Sequence, residues 1–248
     1  MPAPPASALP VLALDTATEI VAAGLQTDHA TFTVQVPGGA LASAALLPQL
    51  QGLLARAGLV FADVQAIAFG RGPGAFTGLR TACAVAQGLG YGLGRPLLPL
   101  DSLLIVAEDA RVQAAADEGF EIGVAMDARM NEIYGARYRW AGGAWLVLQA
   151  PALMSLPSFN AIWAVQGAPA IAGSALAAFG DRLVLPSSPL RFAQEQDRAA
   201  ALLRLAVRAA QAGEAVDAAD ALPLYLRDKV AFTTAEREAA KARAESRS

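Results

Sequence analysis

The 248-residue chain carries 19 Lys and Arg against 22 Asp and Glu, a formal net charge of −3, and 55% of its residues are hydrophobic. The acidic balance argues against a protein that holds nucleic acid by itself, because such binding relies on Lys and Arg to neutralise phosphates. One histidine, His29, and one cysteine, Cys83, exclude a His/Cys zinc site and an internal disulfide. A single cysteine suits a reducing compartment, so we expect a cytoplasmic protein.

The apolar runs and the two ends of the chain give further expectations. Polar residues or proline interrupt every apolar run before it reaches membrane-spanning length, so we expect no membrane span. Residues 1–10, MPAPPASALP, have no basic residue and no continuous apolar stretch, which is typical of a flexible leader rather than a signal peptide. Residues 233–248 are charged and lack an apolar face, which predicts a disordered tail.

The first half of the chain alternates strand-like and helix-like patterns. Three strand-like runs begin at Val11, Ile20 and Ala30. A helix with apolar residues at helical spacing is predicted from 41 to 57, followed by a buried strand and a glycine-rich loop. A second helix is predicted from 79 to 93, before a short strand and a third, capped helix. The predicted order is therefore β-β-β-α-β-α-β-α.

The second half repeats this order. VAMDARMNEI from Val124 parallels LALDTATEI from Leu12, and PAIAGSALA from Pro169 parallels QAIAFGRGPG from Gln65. Two such halves are the layout of the actin, sugar-kinase and Hsp70 superfamily (ASKHA, ribonuclease H-like), in which ATP lies between the halves. We therefore expect a duplicated actin-like α/β fold.

This layout also predicts a division into subdomains. The first subdomain is expected to cover residues 11–106 and to be completed by a return of the chain at about 190–232. The second is expected to cover about 107–189.

The turns that follow the first strand of each half read DTATE and DARMNE and contain no glycine. Nucleotide-binding members of the superfamily carry glycines there so that backbone N–H groups can surround a phosphate. Asp15 and Asp127 could still face each other across a cleft as metal or acid–base carboxylates, but aspartates at strand ends also cap turns. We expect a degenerate nucleotide site, with no catalytic residue, no metal and no cofactor in this chain.

A glycine-rich loop, GRGPGAFTG, precedes the second helix. Its spacing matches neither the Walker motif nor the G-x-G-x-x-G of dinucleotide folds, and it lacks the serine of a nucleophile elbow. An anion-competent loop before a helix N-terminus remains, with Arg71 and Arg80 adding charge.

Small residues recur every fourth position along the second helix, in two adjacent stripes: Ala82, Ala86 and Gly90, and Ala84, Gly88 and Gly92. Glycine costs roughly 1 kcal/mol relative to alanine inside a helix, so close packing along these stripes is expected. Two interpretations stay open. The helix packs tightly inside its own domain, or its outer face joins the Leu46, Leu50 and Leu53 ridge of the preceding helix as a docking surface.

Four motifs, in this order, resemble those of one family: LALDTATE, GRGPGAFTGLRTACAVAQGLGYG, MDARMNEIY and PLYLRDKVAF. The family is TsaB (YeaZ), the dimerisation subunit of the bacterial tRNA threonylcarbamoyladenosine machinery, and the resemblance runs from Val11 to about Phe232. It implies a non-catalytic scaffold needed to form the threonylcarbamoyl group on the adenosine next to the anticodon. It also implies pairing with the catalytic paralogue TsaD, an ATPase partner TsaE, a possible homodimer through the same face, and only indirect contact with tRNA.

The resemblance also assigns residues. The family docks through its first two helices, which here implies a partner interface at Leu46, Leu50, Leu53, Ala82, Val85, Ala86 and Leu89. The family loop motif corresponds to Gly70, Arg71, Gly72, Pro73, Gly74, Phe76, Thr77, Gly78 and Arg80. The second-half hairpin motif corresponds to Asp127, Arg129 and Glu132. Two positions depart from the family: Ala75, where serine is frequent, and Ala42, where the resemblance places a histidine.

Two enzymatic alternatives belong to other function classes. A metallopeptidase of the glycoprotease-like group needs clustered metal ligands, and this chain has a single histidine. A small-molecule kinase of the actin-like fold needs phosphate-binding glycines after the first strand of each half, and neither turn has them.

Overall fold

The structure, a computed structural model, describes residues 9–185 and 189–227. The first half contains β1 (Val11–Asp15), β2 (Ile20–Gln26), β3 (Thr31–Pro37), α1 (Ala42–Arg56), β4 (Ala66–Gly72), α2 (Phe76–Leu93), β5 (Leu97–Asp101) and α3 (Ser102–Gln113). The second half contains β6 (Glu121–Asp127), β7 (Glu132–Ala141), β8 (Ala144–Ser155), α4 (Leu156–Gln166), β9 (Ala170–Ala172), α5 (Ala175–Phe179), β10 (Leu190–Phe192) and α6 (Arg198–Ala212). The expected leader residues 1–8 and tail 233–248 lie outside the described residues. Within the described ranges, no helix combines the length and the apolar character needed to cross a membrane.

The two halves form sheets of identical topology. The first sheet has the order β3-β2-β1-β4-β5, and the second, in the same sense, β8-β7-β6-β9-β10. In each sheet the first three strands are antiparallel and the last two run parallel to the first. The predicted repeat is therefore confirmed, and the chain has a duplicated actin-like α/β fold.

Helix α2 begins earlier than the sequence predicts. It starts at Phe76, with Ala75 as the N-cap, rather than at Leu79. Glycine disfavours helical conformation, so the pattern assigns Gly78 to the loop. The structure instead places Gly78, buried, in the first turn of the helix.

The last helix of each half packs on the sheet of the other half. The apolar side of α3, including Leu103 and Val106, packs with Ile122 and Val124 of β6. In the same way α6, including Leu202 and Leu205, packs on the first sheet. Strand β10 pairs with β9 in the second sheet, whereas the helix that follows it, α6, packs on the first sheet. The subdomain boundaries themselves stay a prediction.

A buried carboxylate lies where α3 and α6 cross. Glu108 has no exposed side-chain surface and accepts two hydrogen bonds from Arg111 (3.1 and 3.0 Å). It also accepts one from Arg204 Nε (2.7 Å) and one from Trp145 Nε1 (2.9 Å). Burial alone would raise the pKa of Glu108, but these hydrogen bonds outweigh burial and hold that pKa below its usual value.

Replacing Glu108 with glutamine tests this crossing. Because the variant removes the buried carboxylate that pairs with three partly buried guanidinium groups, we expect a loss of about 2 kcal/mol in the free energy of unfolding at pH 7. The pKa of Glu108 is lower in the folded state than its unfolded value of about 4.3. The stabilisation by Glu108 is therefore complete above about pH 4.3 and is lost as the pH falls through the lower, folded-state pKa. Glu108→Gln should therefore flatten the acid limb of a urea-unfolding pH series.

Glu214→Gln, at an exposed position, is the matched control and should change the unfolding free energy by less than about 0.5 kcal/mol. An acid limb as steep in Glu108→Gln as in the unsubstituted chain would contradict this account.

Candidate functional site

Asp15, at the end of β1, is completely buried and fully engaged by protein groups. Its Oδ1 accepts hydrogen bonds from Arg198 Nε at 2.9 Å and from the Ala17 amide at 3.1 Å. Its Oδ2 accepts one from the Ser102 hydroxyl at 3.2 Å. Both carboxylate oxygens therefore accept hydrogen bonds from groups of the chain itself, in the core of the protein.

Arg198 is the first residue of α6, and its side chain is 1% exposed. Its guanidinium also pairs with Glu195 at 2.6 Å, and its amide donates to Gln35 at 3.1 Å. Burial acts to lower the pKa of Arg198, but the Asp15 and Glu195 carboxylates outweigh burial and raise it above its usual value. The guanidinium is therefore a permanent cation that neutralises Asp15. No sequence pattern near either residue indicates this pairing.

Asp127, the counterpart of Asp15 at the end of β6, caps a turn. Its carboxylate accepts from the Arg129 amide at 2.9 Å and pairs with the Arg129 guanidinium at 3.3 Å. Arg129 begins three consecutive left-handed residues, with φ of 62°, 56° and 58°. Glu132 pairs with Arg227 at 2.7 Å, and Arg227 also donates to the Ala128 carbonyl at 2.8 Å. The hairpin motif therefore holds a strained turn and fastens the C-terminal segment.

The glycines of the loop are needed for its contact with the β1–β2 turn. A Cβ added to Gly70 would overlap the Asp15 carboxylate, and one added to Gly78 would overlap the Thr16 carbonyl oxygen. The Thr16 hydroxyl donates to the Gly78 carbonyl at 2.7 Å, which fastens the turn to the first turn of α2. Glycine at these positions lets two backbone segments approach closely.

The loop backbone is occupied by other parts of the chain. The Ala75 amide donates to the Ala17 carbonyl at 2.8 Å, and a Cβ on Gly74 would lie 2.5 Å from that same oxygen. The Leu224 amide donates to the Arg71 carbonyl at 2.7 Å. These contacts give the loop a packing role within the chain.

The two arginines of the loop motif contact different parts of the chain. Arg71 pairs with Asp101 at 2.7 Å. Arg80 lies 4.0 Å over the Phe76 ring and donates to the Tyr225 hydroxyl at 3.3 Å. Gly72 and Pro73 are buried, and Thr77 is exposed. Arg80 is exposed, and the Arg71 side chain is 39% exposed but paired with Asp101.

Most of the residues assigned to the partner interface lie in the core. Five of them are at most 1% exposed: Leu46, Leu50, Leu53, Ala82 and Ala86. They pack with β1, β2 and β4 side chains, so they cannot form a surface in the folded chain, and their assignment as exposed interface residues is wrong. Val85 and Leu89 are half-buried at the edge of this core. Apolar residues at helical spacing mark a buried face equally well whether the sheet or a partner covers it.

The second stripe of small residues faces outward. Ala84 and Gly88 are exposed, and a Cβ added to Gly88 or Gly92 meets no atom within 4 Å. By contrast, a Cβ on Gly90, in the buried stripe, would lie 2.9 Å from Leu97. We call the exposed faces of the two helices the α1–α2 surface: Ala44, Leu47, Gln51, Ala84, Gly88 and Tyr91. Leu47 and Tyr91 are 42% and 64% exposed, and sequence reasoning missed both.

Comparison with known proteins relates this geometry to a family. Residues 40–188, more than half of the chain, match the family model described as TsaD, tRNA N6-adenosine threonylcarbamoyltransferase. The chain is 37% identical over 126 residues to the Haemophilus influenzae tRNA threonylcarbamoyladenosine biosynthesis protein TsaB. This alignment covers 51% of this chain and 52% of that protein. It is 30% identical over 229 residues to Escherichia coli TsaB, covering 90% of this chain and 96% of that protein.

Two solved structures have the same fold. Pseudomonas aeruginosa YeaZ superimposes with a TM-score of 0.77 at 34% identity, over 87% of this chain and 99% of that one. A P. aeruginosa protein described as similar to peptidase YeaZ superimposes with a TM-score of 0.78 at 35% identity, over 88% and 99%.

The same substitution at two glycines of α2 tests the packing role of the loop. Gly78→Ala drives a Cβ into the Thr16 carbonyl, so we expect a loss of about 2 kcal/mol or more in the free energy of unfolding. Gly88→Ala places its Cβ in open space and should gain up to about 1 kcal/mol from helix propensity. Urea unfolding followed by circular dichroism measures both. Equal effects at the two positions would contradict the close contact at Gly78.

The motifs, the repeated topology and the match to a relative along nearly its whole length agree with one another. On this evidence the chain belongs to the TsaB (YeaZ) family.

Proposed function

We propose that this chain is a non-catalytic subunit of tRNA threonylcarbamoyladenosine biosynthesis and that it works in the cytoplasm. The observation that carries the proposal is the Asp15–Arg198 pair. In an actin-like fold the carboxylate that ends the first strand is the natural metal or acid–base group, and here a buried guanidinium neutralises it. The TsaB names of the E. coli and H. influenzae relatives supply the pathway.

A peptidase activity, which the description of one P. aeruginosa structure mentions, receives no support from the side chains. Burial raises the pKa of the Cys83 thiol, whereas catalytic cysteines have a lowered pKa. The Cys83 sulfur lies 3.4 Å from the Ala221 carbonyl oxygen, on the buried side of α2. In the part of the chain that the structure describes, no three His, Cys, Asp or Glu side chains come together as a metal site.

The α1–α2 surface is the proposed docking site for a TsaD-type subunit. The matching family model describes the transferase TsaD, which supports a partner that pairs through similar helices. Small residues at Ala84 and Gly88 let a partner helix approach closely, and Leu47 and Tyr91 offer exposed apolar area. The same surface would support a homodimer when the TsaD-type subunit is absent.

The remaining partners follow from the proposed role. A TsaE-type ATPase would join the assembled pair, supplying the nucleotide chemistry that the Asp15 region of this chain does not. The chain would contact tRNA only through the assembly, in keeping with its net charge of −3.

Paired charges on the α1–α2 surface test the docking site. Ala84→Glu with Gly88→Arg keeps good helix formers at exposed positions, so the isolated chain should fold normally. In a complex the two long side chains would hold the helices apart and become desolvated. We expect loss of co-elution with the TsaD-type subunit on size-exclusion chromatography. In cells depleted of this protein, the variant should fail to restore threonylcarbamoyladenosine in tRNA, as measured by nucleoside mass spectrometry.

The matched control is Ala161→Glu with Val165→Arg, the same charges at the same spacing on the exposed face of α4. It should pair with the partner and restore the modification. Full activity of the Ala84→Glu/Gly88→Arg variant would contradict the docking site, and normal modification in cells without the protein would contradict the proposed function.

A further inference from the structure

A cavity of about 400 Å³ lies between α6 and the outer end of β2 and β3. Its walls include Arg204, Val207, Arg208 and Gln211 from one face of α6, with Gln26 and Thr31 from the strands. Gln26 pairs with Val11, at the end of β1 opposite Asp15, so the cavity is separate from the Asp15 region. Its volume is in the range of small-molecule sites.

Positive charge exceeds negative charge beside this cavity. The guanidinium groups of Arg111, Arg204 and Arg208 all pair with Glu108, and no other carboxylate of the described residues pairs with any of them. Three cations thus share one anion. Arg204 and Arg208 retain 33% and 35% exposure and line the cavity.

Arg208 is the least satisfied of the three. Its Nη1 lies 3.6 Å from Glu108 Oε2, too far for a hydrogen bond, and this buried atom has no acceptor among the residues described. The guanidinium lies 4.2 Å over the Trp140 ring, which Arg111 also contacts at 4.5 Å. Burial lowers the pKa of Arg208, Glu108 opposes this, and the like charges of Arg111 and Arg204 add to the lowering. A second anion on the exposed side of Arg204 and Arg208 would relieve the repulsion among the three cations.

The remaining residues that line the cavity indicate the chemistry of the rest of the ligand. Gln26, Thr31 and Gln211 are neutral polar residues at the rim, whereas Leu203 and Val207 give an apolar wall along α6. A lone inorganic anion would leave most of the volume unfilled. The charges of Arg204 and Arg208 suit a dianion, and guanidinium groups match the spacing of phosphoryl oxygens.

We propose that this α6 cavity binds a small molecule bearing a phosphoryl or diphosphoryl group. The phosphoryl oxygens accept hydrogen bonds from Arg204 and Arg208, and the rest of the molecule lies against Leu203 and Val207. Because α6 packs on the first sheet and also on α3, the bound ligand stabilises the helix that joins the two halves.

The probe is sodium diphosphate, titrated into the full chain by calorimetry and by thermal unfolding, with sodium sulfate at equal ionic strength as the comparison. We expect saturable heat and a rising Tm with diphosphate that exceed the effect of sulfate. Arg208→Gln should raise the Kd for diphosphate by roughly tenfold or more. Arg182→Gln, an exposed arginine after α5 in the second half of the chain, should leave the Kd unchanged.

A second variant covers the case in which Arg208→Gln fails to fold. Gln211→Glu changes an exposed side chain that lines the cavity by one atom and places a carboxylate one helical turn from Arg208. It should raise the Tm of the ligand-free chain and weaken diphosphate binding. The proposal is overturned by the absence of saturable binding, by equal effects of sulfate and diphosphate, or by an unchanged Kd in Gln211→Glu.

Discussion

The buried ion pair between Asp15 and Arg198 determines how the two ends of this chain come together. It joins the end of the first strand to the start of the last described helix, residues 183 positions apart in sequence. Neither group can stay charged in the core alone, since an unpaired buried ion costs several kcal/mol. The start of α6 is therefore fixed against β1, and α6 in turn covers the first sheet.

The same ion pair engages the carboxylate for which the sequence leaves metal or acid–base chemistry open. In this architecture the strand-end carboxylate lies where a nucleotide would be handled, and here it contacts Arg198, Ser102 and the Ala17 amide. The glycine loop fits against the β1–β2 turn rather than around a phosphate. The actin-like frame is thus present, and the groups at its centre hold the protein together. These contacts support our proposal of a role through surfaces, which we place at the α1–α2 surface.

Local patterns in the sequence were enough to predict the repeat, the order of strands and helices, and the family motifs. Hydrophobic periodicity predicted the helices because each buries one face against a sheet. It could not separate the buried stripe of Ala82 and Ala86 from the exposed stripe of Ala84 and Gly88, because both consist of small residues. The helical position of Gly78 and the Arg198 partner of Asp15 depend on contacts between distant segments, which periodicity does not record.

The central claim is our proposal that Asp15 holds the fold together rather than performing chemistry, and an isosteric substitution tests it most directly. In Asp15→Asn the amide oxygen can still accept from Arg198, and the Ser102 hydroxyl can turn to accept from the new amide group. The measurement is threonylcarbamoyladenosine in tRNA from depleted cells that express this variant, normalised to the amount of folded protein. The account predicts normal modification per folded molecule. Loss of the modification from a variant that is folded and still bound to its partner would contradict it.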